Sequence, residues 1–178
     1  LRAEIKDKRS FIKFLVKFMN IVWLKRDIRI QDHRPIYESL NTNNEICFIY
    51  IFEPIIENNF DFDYRHWNFI YQSLNDLSQK TKVSVFYGEA LEVFNTIIGS
   101  YHVENVFSYQ ETGVQLTFDR DKEVKKLFIK KNINWKEFEK NGVQRGIKKR
   151  KDWSSIWYKK INAPILKNDL SLINKKNK

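Results

Sequence analysis

The sequence predicts a three-layer α/β domain of Rossmann-like or flavodoxin-like type, with helices on both faces of a doubly wound, five-stranded parallel sheet. Three observations carry this reading. Short apolar runs alternate with amphipathic segments in the order β-α-β-α-β-α-β-α-β, the pattern of parallel strands joined by crossover helices. The first two runs are apolar at successive positions, as in strands covered on both faces. Several runs stop abruptly at charged or amide residues, which is how open sheets of this class present a ligand crevice at their carboxyl ends.

The first strand is expected at Asn20 to Lys25, where Ile21, Val22, Trp23 and Leu24 run into Lys25-Arg26-Asp27. Asp32 can cap the next helix, with Pro35 in its first turn and Leu40 near its end. A turn at Asn41 to Asn44 leads to a second strand, Glu45 to Phe52, which Glu53-Pro54 ends because proline cannot continue a central strand. Cys47 reads as a small core residue. Asp61 or Asp63 can cap a helix over Tyr64 to Gln79, with Trp67, Ile70, Tyr71, Leu74 and Leu77 on its inward stripe.

Thr81 to Tyr87 supplies the third strand, and Gly88-Glu89 opens a helix reaching Ile98, with Leu91, Val93, Phe94, Ile97 and Ile98 inward. The fourth strand, Asn105 to Tyr109, ends directly in Gln110-Glu111-Thr112-Gly113. A helix over Thr117 to Lys131 carries Arg120 and Asp121 in its first two turns, where they are expected to form ion pairs that hold the Gln110 loop. Ile133 to Phe138 is the fifth strand.

Crossovers of one hand bring the carboxyl ends of parallel strands to one edge. Lys25-Arg26-Asp27, Phe52-Glu53 and Gln110-Glu111 are therefore expected to be neighbours. Carboxylates, an amide, basic groups and an aromatic in one crevice suit a planar, hydrogen-bonding heterocycle.

Composition narrows the class. A chain of 178 residues, 42% hydrophobic and 15% aromatic, suffices for one packed domain. Its single Cys excludes an internal disulfide and favours a reducing, cytoplasmic setting. No apolar run approaches the roughly 20 residues of a membrane span. There is no G-x-G-x-x-G after the first strand, no phosphate-binding G-x-x-x-x-G-K-[ST], no G-x-S-x-G elbow and no zinc-ligand spacing. No catalytic residue and no metal ligand is assigned.

The net charge of +10 is concentrated at the ends. Residues 1–20 carry six Lys/Arg against two Asp/Glu, residues 140–178 carry twelve against two, and residues 21–139 carry fourteen against eighteen. The folded core is thus mildly acidic, and the basic ends need not denote a nucleic-acid surface. Residues 1–19 read as a basic leader, a non-native extension if Met19 is the natural start. Phe11, Ile12, Leu15, Val16 and Phe18 have helical spacing, but the lysines among them exclude a signal peptide. Residues 140–178 read as a basic connector and tail. Trp153, Trp157 and Ile161 fall on one helical face, and beyond Asn162 periodicity is lost, so a frayed tail is expected.

The stretch Trp23-Leu24-Lys25-Arg26-Asp27-Ile28-Arg29, with Asp32 following, resembles the opening motif of the DNA photolyase/cryptochrome family. The likeness continues through Ile51 to Pro54, Arg65 to Trp67, Gly88 to Ala90, Gln110 to Gly113, Arg120-Asp121 and Asn141 to Gly146, and covers roughly Asn20 to Ile161. It is a likeness to the N-terminal α/β domain alone, residues 20–139 here. The family's larger helical domain, which holds the catalytic FAD, would follow.

The resemblance implies that this domain binds a light-harvesting antenna chromophore (a folate, a deazaflavin or a flavin) near the strand ends. Arg26, Asp27, Phe52, Glu53, Gln110 and Glu111 are the candidate contacts, supported by Arg120 and Asp121. Lys25 stands where the family more often has Arg, which keeps the charge but removes a bidentate fork. Intact relatives are photo-lyases: the excited antenna passes energy to reduced flavin, which splits UV-induced pyrimidine dimers. On this reading the chain is a truncated or split photolyase whose Trp153 and Trp157 dock the missing flavin domain, in cis or in trans. It would meet UV-damaged DNA only through the intact protein, and no membrane. The alternatives are a stand-alone α/β nucleotide-binding module and an inactive remnant.

Overall fold

The computed structural model describes residues 18–143, 145, 146 and 149–177. The expected leader helix at Phe11 to Phe18 lies outside this range except for Phe18, which with Met19 already belongs to the first strand. In chain order the elements are β1 (Phe18–Leu24), α1 (Arg34–Leu40), β2 (Glu45–Phe52), α2 (Pro54–Glu57), α3 (Tyr64–Ser78) and β3 (Ser84–Tyr87). They continue with α4 (Ala90–Ser100), β4 (His102–Tyr109), α5 (Gln115–Lys130), β5 (Asn134–Phe138), α6 (Trp153–Ile161) and α7 (Leu170–Lys176).

All five strands are parallel, in the order β3-β2-β1-β4-β5. The chain builds outward from β1 to β2 and β3, then returns to β4 on the other side of β1, so the order reverses between β1 and β4. Strands alternate their side chains between the faces. Ile21, Trp23, Ile49, Ile51 and Val106 meet Phe94, Val124 and Phe128 from α4 and α5. Val22, Leu24, Phe48, Tyr50 and Phe107 meet Ile36, Leu40, Leu74, Leu77 and Ile173 from α1, α3 and α7.

Three expectations are corrected. The cap of α1 is His33, not Asp32: Asp32 has φ of 52°, outside the extended region that an N-cap needs. Asp32 instead holds Leu166, giving its N–H to the Leu166 carbonyl and accepting the Leu166 N–H on Oδ1. Tyr71 and Leu91, expected inward, are exposed. Directly after β2 the chain forms the short helix α2, with Pro54 in its first turn, an element the sequence reading did not include. Residues 163–177 are not a frayed tail. Asp169 caps α7 by accepting from the Ser171 and Leu172 N–H groups, and Ile173 is 0% exposed against the sheet.

The amino-terminal edge of the sheet carries an amide ladder. Asn20, 0% exposed, accepts from Asn105 Nδ2 at 2.9 Å and Asn44 Nδ2 at 3.1 Å and donates to Thr42 Oγ1 at 2.6 Å. Asn134 Nδ2 extends it to Asn105 Oδ1 at 3.1 Å. The ladder crosses the point where β1 and β4 shift register between Met19 and Asn20. Asn20→Leu keeps the volume but strands three partners, so a loss of about 2–4 kcal/mol is expected in urea unfolding. An unchanged midpoint would show that water replaces the ladder at no cost.

Candidate functional site

At the carboxyl edge of the sheet, β1 ends at Leu24 and passes directly into Lys25, whose side chain lies over two tryptophan rings. Its ammonium is 4.3 Å from the centre of the Trp23 ring and 5.2 Å from that of Trp135. It donates to Asp121 Oδ2 at 2.7 Å and to the Tyr109 carbonyl at 3.3 Å. Burial pulls the Lys25 pKa below its ordinary value, and the Asp121 carboxylate opposes that fall.

Arg120, on the first turns of α5, organises the rest. Its guanidinium donates to Glu53 Oε1, to Asp121 Oδ1 at 2.8 and 3.0 Å, and to Glu111 Oε2 at 3.5 Å. It also lies 4.9 Å from the centre of the Trp23 ring. Asp121 thus bridges the two buried cations, one oxygen to each. Two cations against three carboxylates leave one negative charge, which Arg26 offsets from the rim at 3.5 Å from Glu111.

Burial raises the Glu53 pKa despite Arg120, which acts in the opposite direction. Burial also disfavours charge on Arg120, but Glu53, Asp121 and Glu111 outweigh it and raise that pKa. One acceptor is left over: Glu53 Oε2 is buried without a hydrogen-bond partner. The preceding residue, Phe52, starts a run of aromatic rings, 4.9 Å from Tyr50 and 5.0 Å from Trp67 between ring centres, with Phe62 5.0 Å beyond Trp67.

The other expected residues divide. Glu111 turns inward: Oε1 accepts the Thr112 and Gly113 N–H groups, and its carbonyl accepts from Arg145. Gln110 gives its backbone N–H to the Phe138 carbonyl at 2.8 Å and so ties β4 to the end of β5. Arg26, with 57% of its side chain exposed, lies across Gly113, where any Cβ would meet its guanidinium.

Asp27 is 2% exposed and engaged within the protein. Oδ1 accepts the Lys25 N–H, and Oδ2 is 2.5 Å from His33 Nε2. Because His33 Nδ1 accepts the Ile36 N–H, the ring proton sits on Nε2 and points at Asp27. Burial alone would raise the Asp27 pKa, but the His33 hydrogen bond overrides it and lowers the pKa. Neither ring nitrogen is free for proton transfer; the pair positions the loop after β1.

Trp153 and Trp157 pack on the segment that follows the carboxyl end of β5. Trp153 Nε1 donates to the Gly142 carbonyl at 3.1 Å, and the Trp157 indole packs where a Cβ at Gly142 would be. Trp153 remains 39% exposed, and α6 has no buried residue.

Lys25 was expected at this edge but not among the contacts, whereas His33, Arg145 and the rings of Tyr50, Phe62 and Trp67 were not expected there. A lysine closing an apolar run was a usable signal for the first. The His33 pairing carried none, since it depends on how the loop folds. Among the described residues no cluster could hold a metal ion, and no helix is long and apolar enough to cross a membrane.

A family model described as DNA photolyase matches residues 20–145, well over half of the chain. No curated protein matches it. Among solved structures, the archaeal photolyase from Sulfolobus tokodaii aligns with a TM-score of 0.68 at 16% identity, covering 90% of this chain and 42% of that one. That structure is described with two FAD molecules and the implication of a novel light-harvesting cofactor. A class III photolyase from Agrobacterium tumefaciens aligns with a TM-score of 0.67 at 16% identity, covering 80% and 30%. A cryptochrome from Synechocystis sp. PCC6803 gives 0.62 at 20% identity, covering 72% and 28%. The chain thus spans less than half the length of each of these proteins.

Proposed function

Starting from the fact that the chain belongs to the DNA photolyase family, we propose that it holds a planar light-harvesting chromophore at the carboxyl edge of its sheet. The observation that carries this reading is Glu53 Oε2, a buried acceptor with no partner, at the sheet edge where Phe52 starts the run of aromatic rings through Trp67. A heterocycle with a ring N–H would satisfy that oxygen while its face rests on apolar surface. Arg120 keeps Glu53 in place, Lys25 and Asp121 keep Arg120 in place, and Arg26 supplies an exposed cation at the rim. When bound, the chromophore would absorb near-ultraviolet or visible light and pass the excitation on. Dimer cleavage belongs to the FAD-bearing helical region of the family, supplied in cis or in trans. The exposed α6 face around Trp153 and Trp157 is the proposed docking surface for that region, and UV-damaged DNA would be met only by the assembled protein.

The test is reconstitution of the full chain with FMN, FAD, a deazaflavin and a reduced folate, followed by gel filtration and absorbance. One of them is expected to co-elute in stoichiometric amount. Glu53→Gln puts an amide where the free acceptor lies and should weaken binding by roughly tenfold, about the worth of one hydrogen bond. A folded chain that retains none of the four sinks the antenna reading. Capture of a nucleotide without near-ultraviolet absorbance would point to the stand-alone nucleotide-binding module instead.

A further inference from the structure

The two edges of the sheet are treated differently. At one end, β5 reads Asn134-Trp135-Lys136-Glu137-Phe138, with charged residues of both signs, the usual guard against edge-to-edge pairing. At the other end, β3 reads Ser84-Val85-Phe86-Tyr87, with no charge and no proline. Among the described residues nothing pairs with its outer edge. An edge strand presents unpaired N–H and C=O groups along its length.

The surroundings of this edge are apolar and ordered. Val85 is 49% and Tyr87 66% exposed, with Tyr64 of α3, also exposed, meeting Tyr87 at Glu57. Tyr87 and Tyr64 both donate their hydroxyls to Glu57, at 2.9 and 3.0 Å, so both rings are held in place before any partner arrives. Ordered tyrosines around a bare strand have the character of an interface centre.

We infer that β3 is a self-association edge, on which a second copy of this chain adds its own β3 antiparallel and joins the two sheets into one of ten strands. Charge selects this occupant. Lys82 precedes the strand and Glu89 follows it. A twofold axis through Val85 or Phe86 brings Lys82 within one position of the second copy's Glu89, and the symmetry makes that contact twice. Glu89 keeps Oε1 on the Ile55 N–H at 2.9 Å, which leaves its other oxygen for the lysine.

The experiment is sedimentation of the full chain over a range of concentrations. The wild type is expected to be a concentration-dependent dimer. Val85→Lys, which puts a charge on the outer strand, should be monomeric at the same concentration with an unchanged circular dichroism spectrum. Lys82→Glu and Glu89→Lys chains should each dimerise roughly tenfold more weakly, because each homodimer opposes like charges. An equimolar mixture should regain wild-type affinity, since every contact in the heterodimer is then Glu against Lys. A monomeric wild type overturns the inference. So does a dimer indifferent to Val85→Lys or without recovery in the mixture. A chain that dimerises only after residues 1–17 are removed would assign the edge to that segment and overturn it as well.

Discussion

Ending the chain at Asn162 is expected to unfold it, or to leave a state with a loosened core. The deleted stretch reads as a polar, lysine-rich tail, yet it contributes to one face of the sheet. Ile173 lies among Leu40, Ile46, Phe48, Leu74 and Leu77. Lys176 donates to the carbonyls of Leu40 and Thr42, at the end of α1. Asn177 donates to Thr81 Oγ1 and the Lys82 carbonyl, at 2.8 and 2.6 Å. Asn168 donates to the carbonyls of Ile30 and His33, at 2.6 and 3.1 Å, and so pins the loop that carries the Asp27–His33 pair.

Removing all of this exposes apolar surface and leaves several buried carbonyls without donors. The combined loss is on the order of the whole stability of a typical domain, about 5–15 kcal/mol. Ile173→Ala isolates the packing component at about 2–5 kcal/mol. Urea unfolding followed by tryptophan fluorescence reads both. A truncated chain with an unshifted midpoint would mean that α7 does not support the core.

Arg120→Met is expected to cost about 3–5 kcal/mol at neutral pH, because Glu53 and Glu111 lose their buried cation and Asp121 keeps only Lys25. The loss should depend on pH in a defined direction. The folded-state pKa of Glu53 lies above its ordinary value, through burial. The folded state therefore holds that proton more tightly than the unfolded state. The associated stability is fully present below the ordinary carboxyl range and is lost as pH rises through the folded pKa. Arg120 limits this rise, so removing it pushes Glu53 further up. The variant should be least stable near pH 8 and recover part of its loss by pH 5. Arg120→Lys keeps the charge without the fork that reaches three carboxylates, and about 1–3 kcal/mol should be lost. Urea midpoints at several pH values decide the matter. A pH-independent cost below about 1 kcal/mol would mean that solvent screens the network.

Where the site lies was legible from topology. Parallel strands joined by crossover helices share a carboxyl edge, so Arg26, Glu53 and Glu111 had to approach one another. Arg120 reaches the Gln110 loop through Glu111, while Asp121 pairs with Lys25 and Arg120 rather than with that loop. What each group does there was not legible. Asp27 looked like a ligand contact because it follows the first strand, yet its carboxylate is held by His33 and the Lys25 N–H. The orphan oxygen of Glu53 is an outcome of how many donors reach it, which no spacing encodes.

The amino-acid sequence by itself determined the class of fold, the identity of each strand and its neighbouring helix, a capping aspartate for α3 (Asp61 or Asp63, of which the structure uses Asp63) and the edge at which the charged residues gather. These depend on short-range rules: periodicity of burial, capping chemistry, and a proline where a strand must stop. Tertiary structure alone decided the Lys25–Asp121 pairing across 96 positions, the return of Asn168 and Ile173 onto the domain, and the exposure of β3 beside its tyrosines. Those follow from contacts distant in sequence, where a lysine-rich helix with one buried isoleucine carries too little periodic signal to reveal which surface it covers.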